Sequence, residues 1–311
     1  MGDSTNKRAV SKIGGAILLS LSLAACGTNQ TVAAMDGGEP SEGPALWTMQ
    51  DDDTVIHLFG TAPVLPPDTE WRSETVDTAL ADADIIVLES NGTAPEAQAS
   101  IQQAVMQLGL NTDGCSLSSR LTPEEQAEVN AVTTPLGAPL QALDSLKPWL
   151  ASVQVGVLNV SSGGYDLENT PPAMIAALAA ASEIPIRYLE APTDLLMAMA
   201  GFSEDAQTGL FLHSIRTMRD NPDQTENLIA AWLAGDVAAV GDVLHGPGAW
   251  SSDVVRTAML VERNNTWTAR IADMMERETG TIFVAVGLGH LAGEDSLVGM
   301  LEDAGYTLTR R

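Results

Sequence analysis

Two acidic residues and one histidine stand where this sequence could do chemistry. Glu89 and Glu190 each end a short apolar run, and His290 follows Gly287 and Gly289 directly after a third. If the three runs are strands of one sheet, their carboxyl ends meet at one edge, where open α/β sheets bind ligands. Carboxylates and an imidazole at such an edge are typical of an acid/base pair or a metal site.

Each of these residues also has a simpler explanation. An acidic residue after an apolar strand is often only the first loop residue to meet water, and His290 fits an ordinary surface histidine after a glycine-rich turn. The other three histidines are weaker candidates. His57 lies inside an apparent strand, His213 lies inside an apparent helix, and His245 precedes a Gly-Pro-Gly loop that indicates nothing specific.

We do not expect a nucleotide-binding site near the carboxyl terminus. Gly287, Gly289 and Ala292 fit the G-x-G-x-x-A form of the dinucleotide-binding motif. That motif requires a βαβ unit with an acidic residue about 20 positions further on. Here that distance reaches only Thr309 to Arg311.

The elements that must position these residues follow from apolar runs bounded by Gly and Pro. The first predicted element along the chain is a β-hairpin that turns at Asp51–Asp53. A capping box formed by Thr122 and Glu125 predicts that a helix begins there. Strands are predicted at 45–49, 54–59, 85–89, 184–190, 281–286 and 306–310, and helices at 95–108, 148–158, 172–182, 203–219, 223–233 and 253–279. This alternation favours an α/β fold, with a mainly parallel or mixed central sheet flanked by helices. The nearly all-helical stretch 95–180 predicts a helical insertion between two strand-bearing halves.

The amino terminus resembles a bacterial lipoprotein leader. Lys7, Arg8 and Lys12 precede a short apolar run, and small residues lead to Cys26. The run is too short to span a bilayer, which takes roughly 20 residues. We therefore expect a signal peptide at 1–25, lipidation of Cys26 as the link to the membrane, a flexible tether at 26–44 and one domain at 45–311. The residue after the lipidated cysteine is Gly27 rather than an aspartate, which favours an outer-membrane lipoprotein that faces the periplasm.

Amino-acid composition and net charge limit the classes of molecule that this chain could bind. The chain has 311 residues, 45% of them apolar, and a net charge of −26. Removal of residues 1–25 takes away one acidic and three basic residues, so the mature chain would carry −26 − (+2) = −28. That charge repels nucleic acid, which is excluded as a partner. Cys115 has no cysteine partner once Cys26 is lipidated, so no internal disulfide is expected.

Taken in order, these segments resemble the TraB/GumN family, which is related to the Tiki proteases and more distantly to the ChaN and erythromycin esterase group. The matching residues are Leu46, Trp47, His57 to Thr61, Pro66, Asp68, Trp71, Ile86 to Glu89, Lys147 to Trp149, Ala151, Pro185, Ile186, Leu189, Glu190, Glu262 to Asn264, Val286, Gly287, His290, Leu291, Gly293, Gly305 and Tyr306. The likeness covers nearly the whole predicted domain.

The resemblance implies a set of site residues. Family members carry two G-x-x-H motifs, an acid that closes an early strand and an arginine in the long helix before the last strand. The second motif is Gly287 to His290, the acid is Glu89 and the arginine is Arg263. The implied chemistry is divalent-metal hydrolysis of a peptide or protein, with Mn, Co or Zn held by Glu89 and His290 and with Glu89, Arg263 and His290 as catalytic residues.

The first motif departs from the family pattern. It reads Gly60-Thr61-Ala62-Pro63, and proline has neither an imidazole nor a backbone donor. A catalytic metal usually takes about three protein ligands, so we expect a degenerate hydrolase-like site in an envelope lipoprotein with an unknown partner. The alternative is an active metal-dependent hydrolase or protease of the Tiki type that uses Glu89, His290 and Arg263.

Overall fold

The folded part of the chain is built on one central sheet. A computed structural model describes residues 43–92 and 94–311. The expected signal peptide, Cys26 and all but the last two residues of the expected tether lie outside the described residues. Within them, no helix is both long enough and apolar enough to cross a membrane.

The sheet is mixed and mainly parallel. Its strands are β1 (Leu46–Gln50), β2 (Thr54–Thr61), β3 (Ile85–Leu88), β4 (Ile186–Tyr188), β5 (Gly280–Gly287) and β6 (Thr309–Arg310). Their order is β4-β3-β5-β2-β1-β6. β5 pairs in parallel with β2 and β3, and β3 pairs in parallel with β4, whereas β1 is antiparallel to β2 and β6. The α/β fold expected from the sequence is confirmed.

Among the described residues, helices occupy every connection between successive strands except the β1–β2 hairpin. They are α1 (Glu74–Ala81), α2 (Pro95–Leu108), α3 (Pro123–Thr133), α4 (Leu140–Leu143), α5 (Pro148–Ser162), α6 (Pro171–Ala181), α7 (Asp194–Gly201), α8 (Glu204–Asp220), α9 (Gln224–Leu233), α10 (Val237–His245), α11 (Asp253–Arg256), α12 (Glu262–Arg277) and α13 (Leu297–Asp303). Since α2 to α6 lie between β3 and β4, the expected helical insertion is present.

Alternation along β5 creates two cores, because successive strand residues point to opposite faces of the sheet. Ile282, Val284 and Val286 pack on one face against α12 and α13. Phe283 and Ala285 pack on the other face against α1, α6, α9 and α10. From Ile282 to Val286 the central strand is therefore apolar and buried at every position, as expected for a strand that is covered on both faces.

The remaining helices form a separate packed layer. Trp149 of α5 lies in a cluster with α2, α7 and α8, and Phe211 of α8 lies in a second cluster with α3, α4 and α5. Both side chains are fully buried. The hydroxyls of Ser152 and Ser214 lie 2.6 Å apart between α5 and α8, so these two buried polar groups satisfy each other.

Three predicted elements differ in detail. The strand predicted over 184–190 is shorter than predicted and covers only Ile186–Tyr188. The helix predicted over 253–279 is interrupted by a π-helical turn, Thr257–Val261, between α11 and α12. The last strand is shorter than predicted, because only Thr309 and Arg310 find partners on β1. The capping box at Thr122 and Glu125 is present with both of its hydrogen bonds.

An aromatic cluster supports the end of β2. The indole Nε1 of Trp232 donates a buried hydrogen bond of 2.6 Å to the carbonyl of Gly60. The rings of Trp71 and Trp232 lie 5.9 Å apart, and Phe59 contacts both. Among the described residues, the buried Nε1 of Trp71 has no hydrogen-bond partner. The two tryptophans thus differ in hydrogen bonding but share a packing environment.

Because only Trp232 donates a hydrogen bond through its indole, Trp232→Phe and Trp71→Phe form a matched pair of variants. Trp232→Phe should lower the free energy of unfolding by about 1–3 kcal/mol more than Trp71→Phe, because it leaves the buried Gly60 carbonyl unpaired. Urea denaturation of both variants measures the difference. Equal losses would mean that the hydrogen bond to Gly60 adds nothing beyond packing.

Candidate functional site

Two carboxylates meet at the carboxyl ends of β3 and β4. Glu89 directly follows β3, and Glu190 follows β4 by two residues. The backbone pairing continues past both strands, since the N–H of Leu189 donates to Leu88 and that of Glu190 donates to Glu89, at 2.9 and 2.8 Å. The sheet register therefore places the two acids side by side.

The two motif turns lie against each other at the ends of β2 and β5. Gly60 pairs with Val286 in the parallel ladder. A Cβ at Gly60 would lie 3.1 Å from the Cα of Leu288, so a side chain there would push the turns apart. The short 3-10 turn Leu288–Leu291 then carries His290 into the buried interior.

The helix after the π-turn delivers Arg263 and Asn264 to the same edge. Arg263 makes ion pairs with both carboxylates. Its Nε and Nη2 donate to the two oxygens of Glu190, each at 2.9 Å, and Nη2 also donates to Glu89 at 3.3 Å. Its Nη1 donates to the Met259 carbonyl at 3.1 Å and to Nε2 of His290 at 3.0 Å. A guanidinium has five N–H donors, and all five are used here.

The hydrogen bonds of His290 fix its tautomer. Arginine can only donate, so Nε2 of His290 must accept from Arg263. The Asn264 amide nitrogen donates to the Asp295 carbonyl at 2.6 Å, which turns the Asn264 oxygen towards Nδ1 of His290, also at 2.6 Å. Nδ1 must therefore carry the proton. Both ring nitrogens are engaged, and the ring is neutral.

The arrangement does not suit a metal ion. Within residues 43–92 and 94–311, no three His, Cys, Asp or Glu side chains are placed to hold one. The donor atoms of Glu89, Glu190 and His290 face the guanidinium instead, and the lone pair of the imidazole is taken. Pro63, two residues beyond β2 and partly buried, offers no ligand. The residues present do not fit the metal that the sequence resemblance implied.

A comparison with known protein families supports the resemblance that the sequence motifs indicated. The model of the TraB/PrgY/gumN family matches residues 45–310. The chain belongs to this family. No curated protein and no solved structure matches it. The resemblance noted from the ordered motifs is thus confirmed over almost the whole described region.

The site residues predicted from the sequence lie together in this TraB/PrgY/gumN domain. Glu89, Arg263 and His290 form one cluster, and Glu190, which the sequence left open, joins them. His57 instead pairs with Thr48 across the β1–β2 hairpin, where Thr48 Oγ1 and His57 Nδ1 lie 2.9 Å apart.

Three residues that support the family motif have no local signal in the sequence, although Asn264 lies among the residues that carry the family resemblance. Asn264 orients the ring of His290, and Trp267 lies under both that ring and Arg263, at 4.4 Å between ring centroids and 4.5 Å from the guanidinium carbon. His245 lies 2.7 Å through Nε2 from the Gly289 carbonyl, so Nε2 is its donor. A glycine-rich loop after His245 is its only local signature, and such loops are common.

Burial and charge fix the protonation states of the site. Burial lowers the pKa of His290 well below its usual value, and the positive charges of Arg263 and His245 would lower it further. Burial raises the pKa of Glu190, while the Arg263 ion pair limits the rise. Burial alone would lower the pKa of Arg263, but Glu89 and Glu190 outweigh it and hold that pKa above its usual value. The site in this family member thus contains a neutral imidazole and a permanent cation.

A pH dependence of stability follows from the neutral imidazole. The unfolded chain takes up a proton at residue 290 below about pH 6.5, whereas the folded chain resists it. The stability that depends on neutral His290 is therefore complete above that pH and is lost as the pH falls. We expect the free energy of unfolding to decline less steeply between pH 7 and 5 in His290→Gln than in the natural chain.

Urea denaturation across that range measures both declines. The natural chain and His290→Gln are also compared at pH 8, where residue 290 is unprotonated in both the folded and the unfolded chain. The difference at that pH gives the uniform effect of the substitution, which is then subtracted. Parallel curves for the two proteins would contradict the lowered pKa.

Proposed function

We propose that this chain is a cell-envelope lipoprotein of the TraB/PrgY/gumN family whose acid and imidazole cluster does not carry out metal-dependent hydrolysis. It acts instead by binding or supporting an envelope partner. The observation that carries the proposal is Pro63, which stands where the first motif would supply a histidine. His290 is then the only motif imidazole, and both of its ring nitrogens are already engaged.

Ligand number supports this proposal. A catalytic metal usually has about three protein ligands and one open position for water. Glu89 and His290 supply two, and the Nε2 of His290 is directed at Arg263, 3.0 Å away. A general base needs a free lone pair within reach of its substrate, and the His290 ring in this arrangement has none. The same contacts thus disfavour metal hydrolysis and simple base catalysis.

An active metal-dependent hydrolase or protease of the Tiki type is the second candidate. The convergence of Glu89, Arg263 and His290 favours it, since these are the residues that the family resemblance implied. In that case Glu89 and His290 would serve as ligands or as acid and base, and Arg263 would stabilise developing negative charge. That role would require at least one of the five Arg263 donors to leave its present partner.

Metal binding separates the two candidates. The lipid-free chain from Gly27 onward is titrated with Mn²⁺, Co²⁺ and Zn²⁺ in a calorimeter, and ester and peptide hydrolysis is assayed with each metal. We expect no stoichiometric site, no metal-dependent turnover and no change in melting temperature with a chelator. One bound metal that is lost in both Glu89→Ala and His290→Ala, together with turnover, would overturn the proposal in favour of the hydrolase.

The membrane attachment is the second part of the proposal. It is supported by the order of basic residues, short apolar run and small residues before Cys26, and by the polar stretch that separates Cys26 from β1. A lipidated cysteine would tether the acidic domain to a surface that its charge alone would avoid. Gly27 favours retention at the periplasmic face of the outer membrane.

Lipid labelling tests this attachment. With radioactive palmitate fed to a bacterial host, the natural chain should take up label and sediment with outer membranes, while Cys26→Ser should remain unlabelled and uncleaved. Cys115→Ser is the matched control, because it removes the only other cysteine, which is exposed on the folded domain. Equal labelling of the natural chain and Cys26→Ser would rule out this anchor.

A further inference from the structure

The helical layer carries most of the large apolar side chains that are exposed among the described residues. These side chains are Met106, Tyr188, Met197 and Val254. Three of them belong to α2, α7 and α11, which pack around one buried cluster. Apolar side chains exposed on neighbouring helices indicate a contact surface, whereas a single one needs no explanation. The helical layer is therefore where a partner of this chain should bind.

Helix α2 has a distinct inner and outer face. Ala97 and Ile101 are buried on the inner face, within the helical layer. A helix turns by about 100° per residue, so residues placed three, four and seven positions apart share the opposite face. We call that face the α2 stripe. Its members are exposed, and they are Ala99, Gln102, Gln103 and Met106.

The α2 stripe is uncharged in a strongly acidic chain. The whole sequence has 41 acidic and 15 basic residues, yet no charged residue occurs from Ala97 to Thr112. Two copies of a chain with a net charge of −26 repel each other over most of their surface. That repulsion is weakest where no carboxylate is present. The stripe is thus a surface that a second copy can approach.

The spacing of the stripe is complementary to itself. When α2 pairs with a second α2 in the antiparallel direction about a two-fold axis between Gln102 and Gln103, Ala99 lies opposite Met106 of the other copy. A small residue there leaves room for the flexible methionine side chain. Each glutamine lies opposite its own copy, where the side-chain amides can both donate and accept hydrogen bonds. Glu96 lies opposite a glycine, Gly109, so no carboxylates meet.

The same residues fit a membrane surface poorly. Helices that lie in a bilayer interface combine Lys or Arg on their polar face with Trp, Phe or Leu on their apolar face. From Ala97 to Thr112 there is no Lys, Arg, Trp or Phe. Leu108 packs towards the core of the helical layer rather than outwards. The composition of the stripe therefore favours a protein contact.

We propose that the α2 stripe is a homodimer interface, in which two copies of this chain pair their α2 helices in the antiparallel direction about a two-fold axis. Closed two-fold pairing is the commonest form of self-association in soluble proteins. One helix pair must offset the entropy lost on association, so the dimer is weak in solution. Attachment of both copies to one membrane would raise their effective concentration. The inference goes beyond the proposed function and does not depend on it.

A charge placed at the two-fold axis tests the inference. In sedimentation equilibrium, the lipid-free chain from Gly27 onward should shift from monomer towards dimer as its concentration rises. Gln103→Glu brings two carboxylates face to face and should raise the dissociation constant at least about tenfold. Gln141→Glu is the matched control, because it adds the same charge at an exposed glutamine of α4 and should leave dimerisation unchanged.

Disulfide cross-linking tests the register. The exposed Cys115 is first replaced in Cys115→Ser, which removes the only cysteine of the chain from Gly27 onward. In that background, Gln103→Cys should form a disulfide-linked dimer under mild oxidation, because residue 103 faces its own copy across the axis. Gln141→Cys should remain a monomer under the same conditions. Circular dichroism checks that each variant is folded.

Three results would overturn the inference. The first is a natural chain that stays monomeric at every concentration reached. The second is a dimer that Gln103→Glu and Gln141→Glu weaken equally, which would place the contact elsewhere. The third is a monomeric chain that sediments with phosphatidylcholine vesicles and loses that binding in Met106→Glu, which would assign the stripe to the membrane. None of these results bears on metal binding or lipid labelling, which test the proposed function separately.

Discussion

A buried positive charge must be paired, and this requirement organises the carboxyl edge of the sheet. Arg263 is largely shielded from water and uses all five donors on Glu89, Glu190, Met259 and His290. A missing partner would leave either a desolvated charge or an unpaired donor, and each is costly. The chain segments that carry these groups are therefore fixed relative to one another by one side chain.

Topology makes this convergence feasible. β3, β4 and β5 run in parallel, so their carboxyl ends meet although the chain between them is long. The fourth chain segment that contributes to the site is helix α12, which carries Arg263. The π-turn Thr257–Val261 ends two positions before Arg263. Such a turn inserts a residue into the helical repeat and thereby rotates the next helical turn about the axis. Arg263 and Asn264 consequently reach both nitrogens of one imidazole from adjacent positions.

How far the sequence predicted this site depends on the range of the interactions. The sequence predicts Glu89, Glu190 and His290 because strand ends have a local signature. Apolar runs bounded by Gly and Pro predict the sheet, and the capping box at Thr122 and Glu125 predicts the start of α3. Arg263 came only from the family resemblance, since nothing local marks a helical arginine as buried. The π-turn, and the support that Trp232 and His245 give to the motif turns, depend on long-range packing. The polar partners in those two contacts are 172 and 44 residues away in sequence, respectively.

The first motif shows why fold and chemistry separate in this chain. Its turn is held by the Gly60 carbonyl bonded to Trp232, by the lack of a Cβ at Gly60, and by the Thr61 hydroxyl, which donates to the Val286 carbonyl at 3.1 Å. None of these contacts uses the side chain of residue 63. A histidine can therefore give way to proline there without loss of the scaffold that the family model detects over residues 45–310. Function has to be argued from the residues of the site, because the shared architecture is kept whether or not residue 63 is a histidine.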